Sequence, residues 1–114
     1  MSVVSKTIKY LLDKNISVST AESCTGGLLA AEFTAVSGIS KIYKTGLITY
    51  SNDSKIKNLK VKPSTIKRYG AVSRQVCAQM CLHLHKISKS QLTFSTTGVA
   101  CLLYTSPSPR DGIG

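Results

Sequence analysis

Apolar residues recur at helical spacing near the start of the chain. Between residues 3 and 14, Val4, Ile8, Leu11 and Leu12 fall on one face, which predicts an amphipathic helix with Asn15 as its stop. The period then changes to two: Ile16-Ser17-Val18-Ser19-Thr20 alternates and predicts a first strand. Thr25-Gly26-Gly27 breaks it, and Leu28, Leu29, Ala31, Glu32 and Phe33 begin a second helix that runs to about Ser37-Gly38. Residues 45–50 predict a second strand, rich in β-favouring Leu47, Ile48 and Tyr50. A polar turn, Ser51-Asn52-Asp53-Ser54, leads into a loosely helical connection that Pro63 interrupts before a short segment from Ser64 to Tyr69. Ser73 is placed to cap a long helix from Arg74 to Ser88, with Val76, Met80 and Leu84 on one stripe and Leu82 and Ile87 nearby. Leu92 to Thr96 predicts a third strand.

Strands alternating with helices imply βαβ units. The expected fold is an α/β domain, a three-layer α/β/α sandwich with a mainly parallel sheet, incomplete at the C-terminus. In such sheets functional residues gather where strands end and loops lead into helices. Those places are Glu22-Ser23-Cys24-Thr25-Gly26-Gly27, Tyr50-Ser51-Asn52 and Thr96-Thr97-Gly98-Val99-Ala100.

The 114-residue length allows one core, and the apolar content of 42% fits a globular chain rather than a disordered one. There is neither an apolar run long enough to span a bilayer nor a secretory n-region, so the expected location is cytoplasmic, away from membranes. Cys24, Cys77, Cys81 and Cys101 form no Cys-x-x-Cys pair, and His83 and His85 complete no zinc spacing; Cys77 and Cys81, four apart, are expected to be buried free thiols on one helix face. The net charge of +10 raises the question of nucleic acid. Lys55, Lys57, Lys60, Lys62, Lys67 and Arg68 form one acid-free stretch. It has no aromatic interleaving and no helix-turn-helix or RNA-binding signature, so a solvated face is expected and a nucleic-acid partner is not.

Hydroxyls and paired glycines at a helix start can hold an anion, because free N–H groups point outward there. Ser23 on that turn is a candidate nucleophile; equally, Ser23 or Thr25 can serve as a helix cap with the glycines making a tight turn. Cys24 ranks below Ser23, since no histidine partner is identifiable. Lys55 can act as base to a serine if burial lowers its pKa, and Tyr50, five residues earlier, can relay a proton. By pattern alone an exposed lysine on a turn is the simpler reading.

Thr20-Ala21-Glu22-Ser23-Cys24-Thr25-Gly26-Gly27 resembles the signature of the CinA C-terminal domain, the PncC-type nicotinamide-nucleotide amidohydrolases. Tyr50-Ser51-Asn52 with Lys55 resembles that family's second motif, Gly70-Ala71-Val72-Ser73 its third, and Thr97-Gly98-Val99-Ala100 the start of its glycine-rich fourth. The resemblance implies hydrolysis of the carboxamide of nicotinamide mononucleotide to nicotinate mononucleotide and ammonia, in pyridine-nucleotide salvage, without metal or cofactor. It implies Ser23 as nucleophile, Lys55 as its base and Tyr50 as an assistant. Glu22, Thr25, Gly26, Gly27, Asn52, Thr97 and Gly98 are then expected to bind substrate, with the backbone of residues 25–27 stabilising the oxyanion or the phosphate. Association into homo-oligomers is left open.

After Ala100 the family pattern stops. Two prolines, two glycines and no periodicity predict neither helix nor strand, and residues 101–114 are expected to be a non-native tail following a domain of residues 1–100. Two other readings stand beside the enzyme: a non-catalytic nucleotide- or DNA-associated protein of the competence and damage-inducible kind, and an inactive fragment. The chain by itself is expected to be an inefficient amidohydrolase.

Overall fold

A computed structural model describes residues 2–105. Four strands, β1 (Val18–Glu22), β2 (Tyr43–Ile48), β3 (Leu92–Thr96) and β4 (Ala100–Tyr104), form one open sheet in the order β2-β1-β3-β4. β1 pairs in parallel with both β2 and β3, and β4 runs antiparallel to β3. Helices α1 (Val3–Asp13) and α2 (Leu28–Thr34) cover one face; α3 (Asn52–Leu59), α4 (Pro63–Tyr69) and α5 (Arg74–Ser88) form the layer on the other. The expected α/β/α sandwich with a mainly parallel sheet is what the chain forms.

Each face has its own core. Ile8, Leu11, Val18, Phe33, Val36, Ile39, Ile42 and Leu92 pack on the α1–α2 side, where Phe33 stacks on Tyr43 with ring centroids 5.1 Å apart. Ala21, Leu59, Val61, Val76, Met80 and Leu84 pack on the other. Helix starts are set locally. The Ser2, Ser51 and Ser73 hydroxyls accept from the Ser5, Ser54 and Val76 N–H groups, and Pro63 opens α4 at a position that needs no donor. Cys77 and Cys81 are buried as expected, and burial pushes both thiols above their ordinary pKa.

Several boundaries differ from expectation. The first strand starts two residues later, because Asn15 turns left-handed and the Asn15 and Ile16 N–H groups still close α1 by donating to Leu12 and Leu11. β1 is buried along its whole length, so alternation there is not a guide to its register. β2 also lies two residues earlier than expected, which leaves Tyr50 in the following loop. α2 stops at Thr34, ahead of a separate 3-10 turn at Ile39–Lys41. The expected polar turn at residues 51–54 is instead the cap and first turn of α3. Residues 101–104, expected to be irregular, pair with β3 in β4, and the Thr105 N–H donates to the Gln91 carbonyl; residues 106–114 of the expected tail lie outside the described residues.

The strand order reverses at β1: the chain passes from β1 through α2 to β2 on one side, then returns from β2 through α3–α5 to β3 on the other. Such a switch point leaves a crevice at the carboxyl ends of the two diverging strands, here β1 and β3. Leu84, fully buried on α5, belongs to the core of the α3–α5 layer. Leu84→Ala is expected to lower the unfolding free energy by about 2–5 kcal/mol, read as a lower denaturant midpoint at unchanged slope.

Candidate active site at the strand ends

Ser23 follows β1 directly and is tied across the crevice by its N–H donating to the Thr96 carbonyl at 3.0 Å. Beside it, the Thr49 N–H donates to the Glu22 carbonyl at 2.8 Å, so the sheet ladder continues just past both strand ends. The loop then turns sharply: the Gly26 N–H donates back to Ser23, and Gly26 and Gly27 take φ of +62° and +106° in succession. Two successive left-handed residues explain the glycine pair.

The Glu22 carboxylate is buried beneath this loop. Its Oε1 accepts from the Thr25 hydroxyl at 2.7 Å, the Gly27 N–H at 3.2 Å and the Leu29 N–H at 2.9 Å, and its Oε2 accepts from the Ala30 N–H at 2.9 Å. Burial pushes its pKa up, but these hydrogen bonds together outweigh burial and hold the carboxyl below its ordinary value. This corrects two expectations. Glu22 is fully engaged in capping α2, and the N–H groups of Gly27, Leu29 and Ala30 are taken by it rather than open to a ligand's anion. The Cys24 and Thr25 N–H groups donate to no group among the described residues.

Lys55 lies on the first turn of α3, and with Leu59 one turn later it forms the helix's buried face. Its side chain is only 2% exposed, and its Nζ donates to the Tyr50 carbonyl at 3.0 Å. The Ser23 hydroxyl donates to that same oxygen at 3.4 Å, so the two predicted chemical groups meet at one backbone atom. Burial lowers the Lys55 pKa from its ordinary 10.5, and the nearby Cys24 thiol pulls it partly back. The Tyr50 side chain is 71% exposed and its hydroxyl forms no hydrogen bond among the described residues; the residue's contact with the pair is through its backbone. Thr49, next to it, has a buried hydroxyl oxygen without a partner among the described residues.

The other expected positions divide. Asn52 is exposed at the start of α3. Thr97 is buried, its hydroxyl donating to the Ala71 carbonyl at 2.9 Å and its N–H to the Val99 carbonyl at 2.9 Å. Gly98 has φ of +97°, and a Cβ there would come within 2.8 Å of a Val72 methyl. The third and fourth motifs therefore pack against each other, and their link to the first runs through Thr96. The sequence did not mark the Tyr50 carbonyl or the capping role of Glu22; an acid just ahead of a Gly-Gly helix start was the one signal for the second.

The family model of the CinA C-terminal domain matches residues 1–106. The chain belongs to the CinA C-terminal domain family. A competence-damage inducible protein of Clostridium novyi (strain NT) is 51% identical over 92 residues, 81% of this chain and 22% of that protein. One from Acetivibrio thermocellus is 47% identical over 92 residues, with the same coverage of 81% and 22%. The chain thus spans about a fifth of the length of the curated relatives it matches. Among solved structures, the competence/damage inducible protein CihA of Agrobacterium tumefaciens matches with a TM-score of 0.79 at 34% identity, over 87% of this chain and 65% of that one. The competence damage-inducible protein A of Klebsiella pneumoniae subsp. pneumoniae MGH 78578 matches with a TM-score of 0.79 at 28% identity, over 83% and 59%.

In this CinA domain the Glu22 cap supports the turn that carries Ser23. Glu22→Gln puts an NH2 group where N–H donors converge and is expected to lower the unfolding free energy by about 1–3 kcal/mol at pH 7. A carboxyl with a depressed folded pKa stabilises above its unfolded value, near 4.5, and loses that contribution as pH falls through the folded one. The gap between wild type and Glu22→Gln in denaturant titrations should therefore close as pH falls through that range.

Proposed function

We propose that this domain is an amidohydrolase that cleaves the carboxamide of nicotinamide mononucleotide, with Ser23 as nucleophile and Lys55 as its base. The meeting of the Ser23 hydroxyl and the buried Lys55 amine at the Tyr50 carbonyl is the observation that carries this reading. Family membership supports the hydrolase class, and the four ordered motifs support the substrate.

The chemistry follows from the burial of Lys55. A lysine with a lowered pKa has a larger fraction of neutral amine, which can accept a proton. Ser23 Oγ attacks the amide carbon and its proton passes to Lys55 Nζ. The carbonyl oxygen gains negative charge, for which the unengaged Cys24 and Thr25 N–H groups are the donors; one such donor typically contributes about 3–4 kcal/mol. The C–N bond then breaks, Lys55 returns its proton to the leaving nitrogen, and ammonia departs. Water attacks the resulting ester, again giving a proton to Lys55, which passes it to Ser23 as nicotinate mononucleotide leaves. Tyr50 assists the transfer through its exposed ring, and Asn52, exposed at the start of α3, binds substrate.

Ammonia release from nicotinamide mononucleotide is the assay, run on the 114-residue chain and on a version extended to the length of the structural relatives. Ser23→Ala is expected to lower turnover by about a thousandfold or more with unchanged melting, and Cys24→Ser by less than about tenfold. The reverse ranking assigns the nucleophile to Cys24 and rejects this mechanism. Activity should rise with pH as Lys55 loses its proton, with its midpoint below 10.5.

A further inference from the structure

Cations from three helices converge on the outer surface of the α3–α5 layer. One cleft of about 300 Å³ is lined by Lys60, Lys62, Gln79, Leu82, His83 and Lys86. A second of about 300 Å³ adjoins it, shares Lys62 and Gln79, and extends to Arg68 and Tyr69. Gln79 is fixed between them: its Oε1 accepts from the Lys62 N–H at 2.9 Å and its Nε2 donates to the Thr65 hydroxyl at 2.9 Å. Among the described residues, no acidic side chain lines either cleft. No acidic residue occurs from Ser54 to Arg110, and Lys60, Lys62, Arg68 and Lys86 are all exposed.

The clefts are not only basic. Tyr69 is 45% exposed with the Arg68 guanidinium 5.4 Å from its ring centroid, and Leu82 is 61% exposed on the floor of the first cleft. Tyr69 follows the basic stretch directly in sequence and stands beside Arg68 in the fold. The surface also lies apart from Ser23. α5 starts beside the strand carboxyl ends, where the Cys77 thiol donates to the Val99 carbonyl, and ends near the start of β3, where His85 bonds Thr93. Gln79, Leu82, His83 and Lys86 follow one another along the outward face toward that far end.

We propose that this double cleft binds single-stranded nucleic acid, its lysines and Arg68 tracking successive phosphates while Tyr69 stacks on a base. A row of exposed cations beside an exposed ring is the arrangement that holds a single strand with little sequence preference. A free mononucleotide would use one cleft; a strand uses both. This binding does not depend on the hydrolase reading.

Fluorescence anisotropy of a labelled 20-nucleotide oligothymidylate with the 114-residue chain tests it. Four phosphate contacts predict a slope of log K against log salt of about −3. Lys62→Ala combined with Lys86→Ala should weaken binding at least about tenfold and make that slope shallower by about 1.4. Tyr69→Ala should weaken it about fivefold or more. Lys6→Ala combined with Lys9→Ala, which removes the same charge from α1, should change it less than about twofold. All of these positions are exposed, and unchanged melting confirms that each variant folds. No binding at 50 mM salt overturns the proposal, as does equal weakening by the α1 pair, which would assign binding to net charge. Tighter binding of a duplex of equal length, or of inorganic polyphosphate with no dependence on Tyr69, also overturns it.

Discussion

The amine of Lys55 is taken out of water and, among the described residues, has one backbone carbonyl as its hydrogen-bonded partner. A buried charge without a counter-ion is costly, and the side chain responds by favouring its neutral form. That is a poor arrangement for stability and a useful one for proton transfer. The Ser51 cap starts α3 so that Lys55 falls on its inner face, level with the oxygen that Ser23 also reaches. Sites that store strain of this kind are candidates for function because packing alone would not select them.

Glu22 performs the opposite task. It is as deeply buried as Lys55, yet four donors surround its carboxylate, so it keeps its charge and holds the start of a short helix without a side-chain N-cap. The two residues flank Ser23 on different elements, and both pKa values are lowered, which favours the charged form of Glu22 and the neutral form of Lys55. Glu22 fixes the turn on which Ser23 sits, while Lys55 on α3 and the Ser23 hydroxyl share the Tyr50 carbonyl in the loop after β2. Ser23 stands at the carboxyl end of β1, where the strand order reverses.

Much of this was legible in the chain. α5 and β3 have the bounds their patterns indicate, because Ser73 marks a start and the Val76–Met80–Leu84 stripe has a single period. β1 and β2 were displaced because β1 is buried on both faces and includes polar Ser19, Thr20 and Glu22, so alternation carried no register. Ser23 and Lys55 stood out as residues; the atom that joins them, a backbone oxygen of Tyr50, has no signature in sequence. β4 was obscured by the prolines beyond it, although Cys101-Leu102-Leu103-Tyr104 is itself apolar and β-favouring. The basic stretch read as a solvated face for a related reason: its clefts are assembled by α5, whose Leu82, His83 and Lys86 are distant in sequence.

The central claim is that Lys55 is a lysine with a depressed pKa at the side of Ser23. Its direct measurement is an NMR titration of lysine side-chain carbons in the isotopically labelled chain, with the Lys55 signal assigned through its loss in Lys55→Arg. The account predicts that Lys55 titrates below the exposed lysines and below 10.5, and that unmasking it by unfolding returns it to the common value. Titration of Lys55 together with the exposed lysines in the folded chain would contradict it.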